Sequence, residues 1–184
     1  CALLAKKIDP AALSAPVLKS GPVGAAASKV AVHPPVRAAL FDFQREFAAG
    51  RRAAREALAQ LGQGPVSILA APSRAPLWPQ GFVGSISHCD DICVAICARK
   101  ARFTALGCDV EELAPMSSAV AETVTTPHER EWLKTSSAYQ PVHVFSAKEA
   151  VYKALSPFLD TIWGFDAVTI QLFPQDNRFR ATLN

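Results

Sequence analysis

The sequence predicts an α+β fold, and three features of its patterning carry that prediction. Apolar residues recur at three- and four-residue steps through Arg37–Leu61, a helical period. Two short apolar runs, Phe82–Ser87 and Ile92–Ala98, follow one another across a tight polar connection, as the arms of a hairpin do. Two segments with helix-start signals, Thr126–Thr135 and Phe145–Leu155, then precede two strand-like stretches, Phe165–Phe173 and Arg178–Leu183.

A chain of 184 residues, 50% of them apolar, has enough interior for one domain or for two small lobes sharing a core. Its net charge of +3 is too small to argue for a nucleic-acid partner. No apolar run approaches the roughly 18 residues that mark a membrane span. The five cysteines, Cys1, Cys89, Cys93, Cys97 and Cys108, are odd in number and form no C-x-x-C pair, which favours neither a disulfide framework nor a zinc site. Cys93 and Cys97 sit in a buried-strand pattern and read as small core residues. A reducing cytoplasmic setting is expected. The chain begins at Cys1 without methionine or a signal-like segment, so a missing N-terminus is expected.

Residues 1–36 are rich in Ala, Pro and Ser and read as an extended lead-in. Lys19 and Lys29 lie there without informative spacing, and His33 reads as a surface residue. In the following helix, stopped by Gly62, Arg51 and Arg55 are four apart on one face. Two guanidiniums so placed either grip phosphate oxygens or form a solvated face satisfied by Glu56. Val66–Leu69 reads as a short strand. Pro72–Gly81, broken by prolines, reads as a loop that Trp78 anchors on the core and that carries Arg74.

Gly84-Ser85-Ile86-Ser87-His88 is not a nucleophile elbow, because His88 stands where the second glycine belongs. Ser85, Ser87 and a strand-end histidine can instead donate hydrogen bonds to phosphate. Arg99, Lys100 and Arg102 make a basic turn into Phe103–Val110, which reads as a strand. On a strand Asp109 and Glu111 share a face. The pair is either two hydrated acids at a strand end or two oxygen ligands for a small hard cation, most simply Mg²⁺. Residues 112–125 read as a linker with weak helical character.

Thr126-Pro127-His128-Glu129 supplies an N-cap, a proline at the first helical position and a capping-box glutamate. Residues 135–142 read as a turn-rich connection. Ser146 and Glu149 fit a second capping box, and Glu149 with Lys153 fits an exposed i, i+4 pair. The alternative makes Glu149 a third metal carboxylate and Lys153 a neutraliser of phosphate charge. The last strand's partner is expected beyond Asn184.

Four motifs, in order, carry a resemblance: Gly50-Arg51-x-Ala53-Ala54-Arg55-x-Ala57-Leu58; Arg74-x-Pro76-x-Trp78-Pro79-x-Gly81-x-x-Gly84-Ser85-x-Ser87-His88; Leu106-Gly107-Cys108-Asp109-Val110-Glu111; and Phe145-Ser146-x-Lys148-Glu149-x-x-x-Lys153-Ala154. Together they resemble the single-chain, monomeric 4′-phosphopantetheinyl transferases, most of all the branch of the enterobactin-synthase component. The likeness runs from about Phe43 to Val168, and Ser87 stands where threonine is frequent.

The resemblance implies two similar α/β lobes related by a pseudo-two-fold, here residues 1–102 and 103–184, with coenzyme A and Mg²⁺ in the cleft. It implies transfer of the phosphopantetheine arm from coenzyme A to a serine of an apo acyl or peptidyl carrier protein, releasing 3′,5′-adenosine diphosphate. Asp109, Glu111 and Glu149 would hold Mg²⁺. Arg51, Arg55, Arg74, Ser87 and His88 would bind coenzyme A, while Glu149 and Lys153 would act in catalysis. A monomer without nucleic-acid or membrane partners is expected. The rival expectation is a catalytically silent relative that binds coenzyme A or a carrier.

Overall fold

The computed structural model describes residues 34–90, 92–159 and 163–184. The expectations placed on Cys1, Lys19, Lys29, His33 and the rest of the lead-in through residue 33 fall outside them. The first described element is helix α1, Pro34–Gln60, which opens three residues before the periodicity suggests. Proline fits a first helical turn because the missing N–H has no partner there in any helix. Two two-residue strands follow, β1 (Leu69–Ala70) and β2 (Pro76–Leu77), paired antiparallel. The expected Val66–Leu69 strand is therefore shifted, and the proline loop itself contributes its partner.

Strands β3 (Phe82–Cys89) and β4 (Ile92–Arg99) form the predicted antiparallel hairpin, with Ser87 opposite Val94 and His88 opposite Cys93. Helix α1 lies on one face of it, so closely that a Cβ at Gly50 would sit 2.8 Å from Ile86 Cγ2. This packing builds a first core from Ala54, Leu58, Ile68 and Phe82, with Trp78, Ile86 and Cys97 against it. Cys93 and Cys97 are partly buried free thiols, as are Cys89 and Cys108.

Phe103–Val110 is not a strand. It finds no neighbour to share a ladder with, and crosses instead onto a later helix at Gly107. A Cβ there would overlap the carbonyl oxygen of Ala150 and stand 2.8 Å from the Ala154 nitrogen, so only glycine lets the two backbones meet. The weakly helical linker contains α2, Ser118–Val124, capped by Ser117.

Helix α3, Pro127–Thr135, has the predicted capping box of Thr126 and Glu129. Helix α4 spans Pro141–Leu155 and begins four residues before the expected Phe145. The Gln140 N–H donates to His143 Nδ1 at 3.0 Å, and Pro141 occupies the first turn. Ser146 is consequently a mid-helix residue, and the proposed Ser146–Glu149 capping box does not exist.

Strands β5 (Val168–Phe173) and β6 (Arg178–Leu183) form an antiparallel hairpin. The last strand thus has its partner within the chain. A second core gathers Val144, Ala147, Val168 and Ile170, with Trp132, Leu133 and Val151 around it. Among the described residues no helix is long and apolar enough to cross a membrane.

Candidate active site

The site is assembled from three segments. Ser87 comes from β3, on the face turned away from α1, and is 5% exposed. Asp109 comes from the irregular stretch pinned at Gly107. Glu149 and Lys153 come from successive turns of α4, whose 3.6-residue period stacks them on one face.

Lys153 Nζ lies 2.6 Å from Asp109 Oδ1 and donates to Ser87 Oγ at 2.9 Å. Ser87 Oγ donates its own hydrogen bond to the same Asp109 oxygen, also at 2.9 Å, and accepts the Val110 N–H at 3.3 Å. The hydroxyl's one donor is therefore committed to Asp109. Ser87 here holds the aspartate in place, where the sequence suggested a coenzyme A contact. The Asp109 carboxylate is nearly enclosed, its side chain 3% exposed, and its second oxygen, Oδ2, is buried without a hydrogen-bond partner. An orphaned carboxylate oxygen in the interior is costly unless a cation or donor meets it.

Glu149 and Glu111 face the same charge field. Burial raises the Glu149 carboxyl above its ordinary range, Lys153 lowers it, and Asp109 raises it again. Glu111 is exposed overall, yet burial of its carboxyl raises it too, with Asp109 and Glu149 adding to the rise against Lys153. The i, i+4 partnership of Glu149 and Lys153 yields to the longer-range pair, because the more deeply enclosed Asp109 captures the ammonium. Among the described residues no three His, Cys, Asp or Glu side chains are gathered closely enough to enclose a metal ion. Asp109 Oδ2 is left as an unfilled carboxylate oxygen, the kind of donor a hard divalent cation takes.

The remaining residues stand apart from this cluster. Arg51 is buried on α1, its guanidinium 4.7 Å from the Phe47 ring centroid and its Nε without a hydrogen-bond partner. Arg55 is exposed, and Arg52 takes Glu56 at 2.8 Å. Arg74 is exposed in left-handed backbone at φ 71°. His88 Nδ1 lies 3.8 Å from Glu46 Oε2. Arg99 of the basic turn donates to the Leu61 carbonyl at 2.8 Å and covers the Phe82 ring, a structural role.

Two features escaped the sequence reading. Lys148 and Glu129 form a wholly buried ion pair at 2.7 Å. Its signal was available: Val144, Lys148 and Val151 fall at helical spacing on the buried stripe of α4, and a lysine there requires a buried anion. The second is a cleft of about 290 Å³ beside Glu149, walled by Tyr152, Trp163, Phe165 and Val168. Residues so far apart in sequence reveal no cleft by spacing alone.

Comparison with known proteins adds an independent observation. Residues 32–98 match the model of the 4′-phosphopantetheinyl transferase N-terminal domain, and residues 105–183 match that of the 4′-phosphopantetheinyl transferase superfamily. The chain is 42% identical over 135 residues to the 4′-phosphopantetheinyl transferase Npt of Nocardia iowensis, covering 72% of this chain and 61% of that one. It is 41% identical over 143 residues to Svp of Streptomyces mobaraensis, covering 75% and 58%. Enterobactin synthase component D of Salmonella typhi is 37% identical over 143 residues, with the same coverage of 75% and 58%. The chain thus spans about three-fifths of the length of these relatives.

Proposed function

This chain belongs to the 4′-phosphopantetheinyl transferase superfamily, and on that premise we propose that it moves the 4′-phosphopantetheine arm of coenzyme A onto a serine of an apo acyl or peptidyl carrier protein. The observation that carries this reading is the enclosed Asp109–Lys153 pair, whose second carboxylate oxygen is buried and unpartnered and whose charges Glu149 and Glu111 both feel. Phosphoryl transfer asks a protein chiefly for positioning and charge stabilisation, and this cluster offers both.

Asp109, Glu111 and Glu149 would hold Mg²⁺, which when bound supplies neutralisation of the diphosphate and of its transition state. The carrier serine oxygen bonds to the phosphorus that bears the pantetheine arm, and the bond from that phosphorus to the 3′,5′-adenosine diphosphate oxygen breaks. Glu149 receives the serine proton; a carboxyl raised by burial is a better base than a solvated one. Lys153 meets the negative charge arriving on the departing phosphate and can give it a proton. His88, Arg51, Arg55 and Arg74 bind the phosphates and adenosine side of coenzyme A. The apolar cleft beside Glu149 can receive the alkyl and amide arm. Residues 1–102 and 103–184 act as the two lobes that meet at the site.

Incubation with coenzyme A, Mg²⁺ and a panel of apo carrier proteins tests the proposal by intact mass. At least one carrier gains the mass of a phosphopantetheine arm. If none does while a known transferase modifies the same panel, the chain is a silent binder and the transferase reading fails.

A further inference from the structure

The cleft beside Glu149 has two walls, and one buried side chain joins them. Helix α4 supplies the first wall through Lys148, Glu149 and Tyr152; Trp163, Phe165 and Val168 supply the second. Lys148, its side chain 3% exposed, donates from Nζ to Glu129 Oε2 at 2.7 Å and to the Phe165 carbonyl at 2.7 Å. It therefore crosses from one wall to the other. Glu129 is fixed in its turn, since Oε2 also accepts the Thr126 N–H and Oε1 accepts the Ile170 N–H. The Phe165 ring meets Phe145 of α4 as well, with centroids 5.6 Å apart. Stability alone does not call for such a lysine, because apolar residues of similar volume commonly replace a buried ion pair at little cost. Apolar contact has no direction, however. A charge-assisted bond to a backbone carbonyl fixes both distance and orientation.

We propose that Lys148, held by Glu129, is a positioning residue for the cleft: its bond to the Phe165 carbonyl sets the spacing of the two walls to receive the pantetheine arm of coenzyme A. The inference rests on the reading of the chain as a coenzyme A-dependent transferase with that arm in the cleft, and adds which residues give the cleft its width. Lys148 touches no reacting atom and acts through Phe165. It directly precedes Glu149 on α4, so the wall it holds is registered to that carboxylate.

Two measurements on the full chain, neither involving turnover, test this with coenzyme A and 3′,5′-adenosine diphosphate, which lacks the arm, as probes. In the parent, amide hydrogen exchange over residues 163–168 slows several-fold with saturating coenzyme A and is unmoved by the diphosphate. Calorimetric titration then compares the parent with Glu129→Gln and with the double variant Glu129→Leu, Lys148→Met. Glu129→Gln is the less stable variant but keeps the Lys148 amine on the carbonyl, and its preference for coenzyme A over the diphosphate matches the parent's. The double variant regains stability but has no donor, and its preference falls about tenfold through coenzyme A affinity alone. A double variant with the parent's preference, a parallel loss of both probes, or a preference that follows stability overturns the positioning role. Exchange that responds equally to the two probes in the parent overturns it too, whether or not the variants fold. No binding of either probe by the parent overturns the coenzyme A reading and the positioning role with it.

Discussion

Helix α4 carries two lysines five residues apart, and each meets a buried carboxylate in a different way. Lys148 and Glu129 are closed off: their side chains are 3% and 0% exposed, and the ammonium and both carboxylate oxygens all have hydrogen-bond partners. Glu129 accepts from Lys148 at 2.7 Å, from the Thr126 N–H at 2.6 Å and from the Ile170 N–H at 2.6 Å, while Lys148 also donates to the Phe165 carbonyl at 2.7 Å. Lys153 and Asp109 form the open version, with one carboxylate oxygen orphaned and the lysine partly in solvent. The chemistry of the two pairs is the same. Their lone-pair accounts differ: both oxygens of Glu129 are bonded, whereas one oxygen of Asp109 is not.

Mutations around the open pair should remove activity and spare stability. The largest effect is expected from Glu149→Gln, which lowers carrier modification by about 10²–10⁴-fold, the usual loss with a general base. Its melting curve stays cooperative. A variant that turns over normally would dissolve the distinction from the active side.

Mutations in the closed pair should act on stability. Glu129→Gln or Lys148→Met alone leaves a buried partner uncompensated and costs about 3–5 kcal/mol in denaturant unfolding. The double variant Glu129→Leu with Lys148→Met recovers much of that loss, since an apolar pair in such a site is commonly neutral or better. A double cost equal to the sum of the singles would show that the pair is not one unit.

Gly107 lets the acidic segment reach α4 and so belongs to both accounts. Gly107→Ala drives a side chain into the Ala150 carbonyl, costs about 1–3 kcal/mol as overpacking does, and lowers transfer by shifting Asp109. Full activity in a destabilised variant would separate Asp109's position from that contact.

The smallest effect lies in pH. The Glu149 carboxyl is raised from its ordinary 4.5, chiefly by burial. An acid with a higher pKa folded than unfolded binds protons more strongly in the native state, so stability falls as pH rises above that ordinary value. In metal-free buffer Glu149→Gln therefore melts above the parent at neutral pH, and the gap closes toward pH 4.5. A gap that widens on acidification would reverse the assignment of sign.

The elements that could be read from the sequence were those with local causes. The β3–β4 hairpin follows from alternation, and the start of α3 from a cap, a proline and a glutamate at fixed offsets. Two of the errors in regular structure show how a local signal fails without its context. Phe103–Val110 has a strand's composition but no partner, and a ladder needs two strands; the Ser146–Glu149 box has the right spacing, but Pro141 had already begun the helix. Asp109, Glu111, Glu149 and Lys153 were visible as motif residues. That Ser87 and Lys153 would share one oxygen of Asp109 was not, because that contact is set by the packing of three distant segments.

The span of these contacts has a consequence for how the chain acquires its site. Glu129 and Lys148 are separated by 19 residues, and both lie among elements of the second core. Lys153 lies 44 residues from Asp109 and 66 from Ser87, which belongs to the first hairpin. Closing the longer loops costs more chain entropy. During synthesis Ser87 and Asp109 emerge first and wait, hydrated, for a helix still to be made. The reactive cluster thus ties together far more of the chain than the Glu129–Lys148 pair does, and its geometry depends on the packing of both cores.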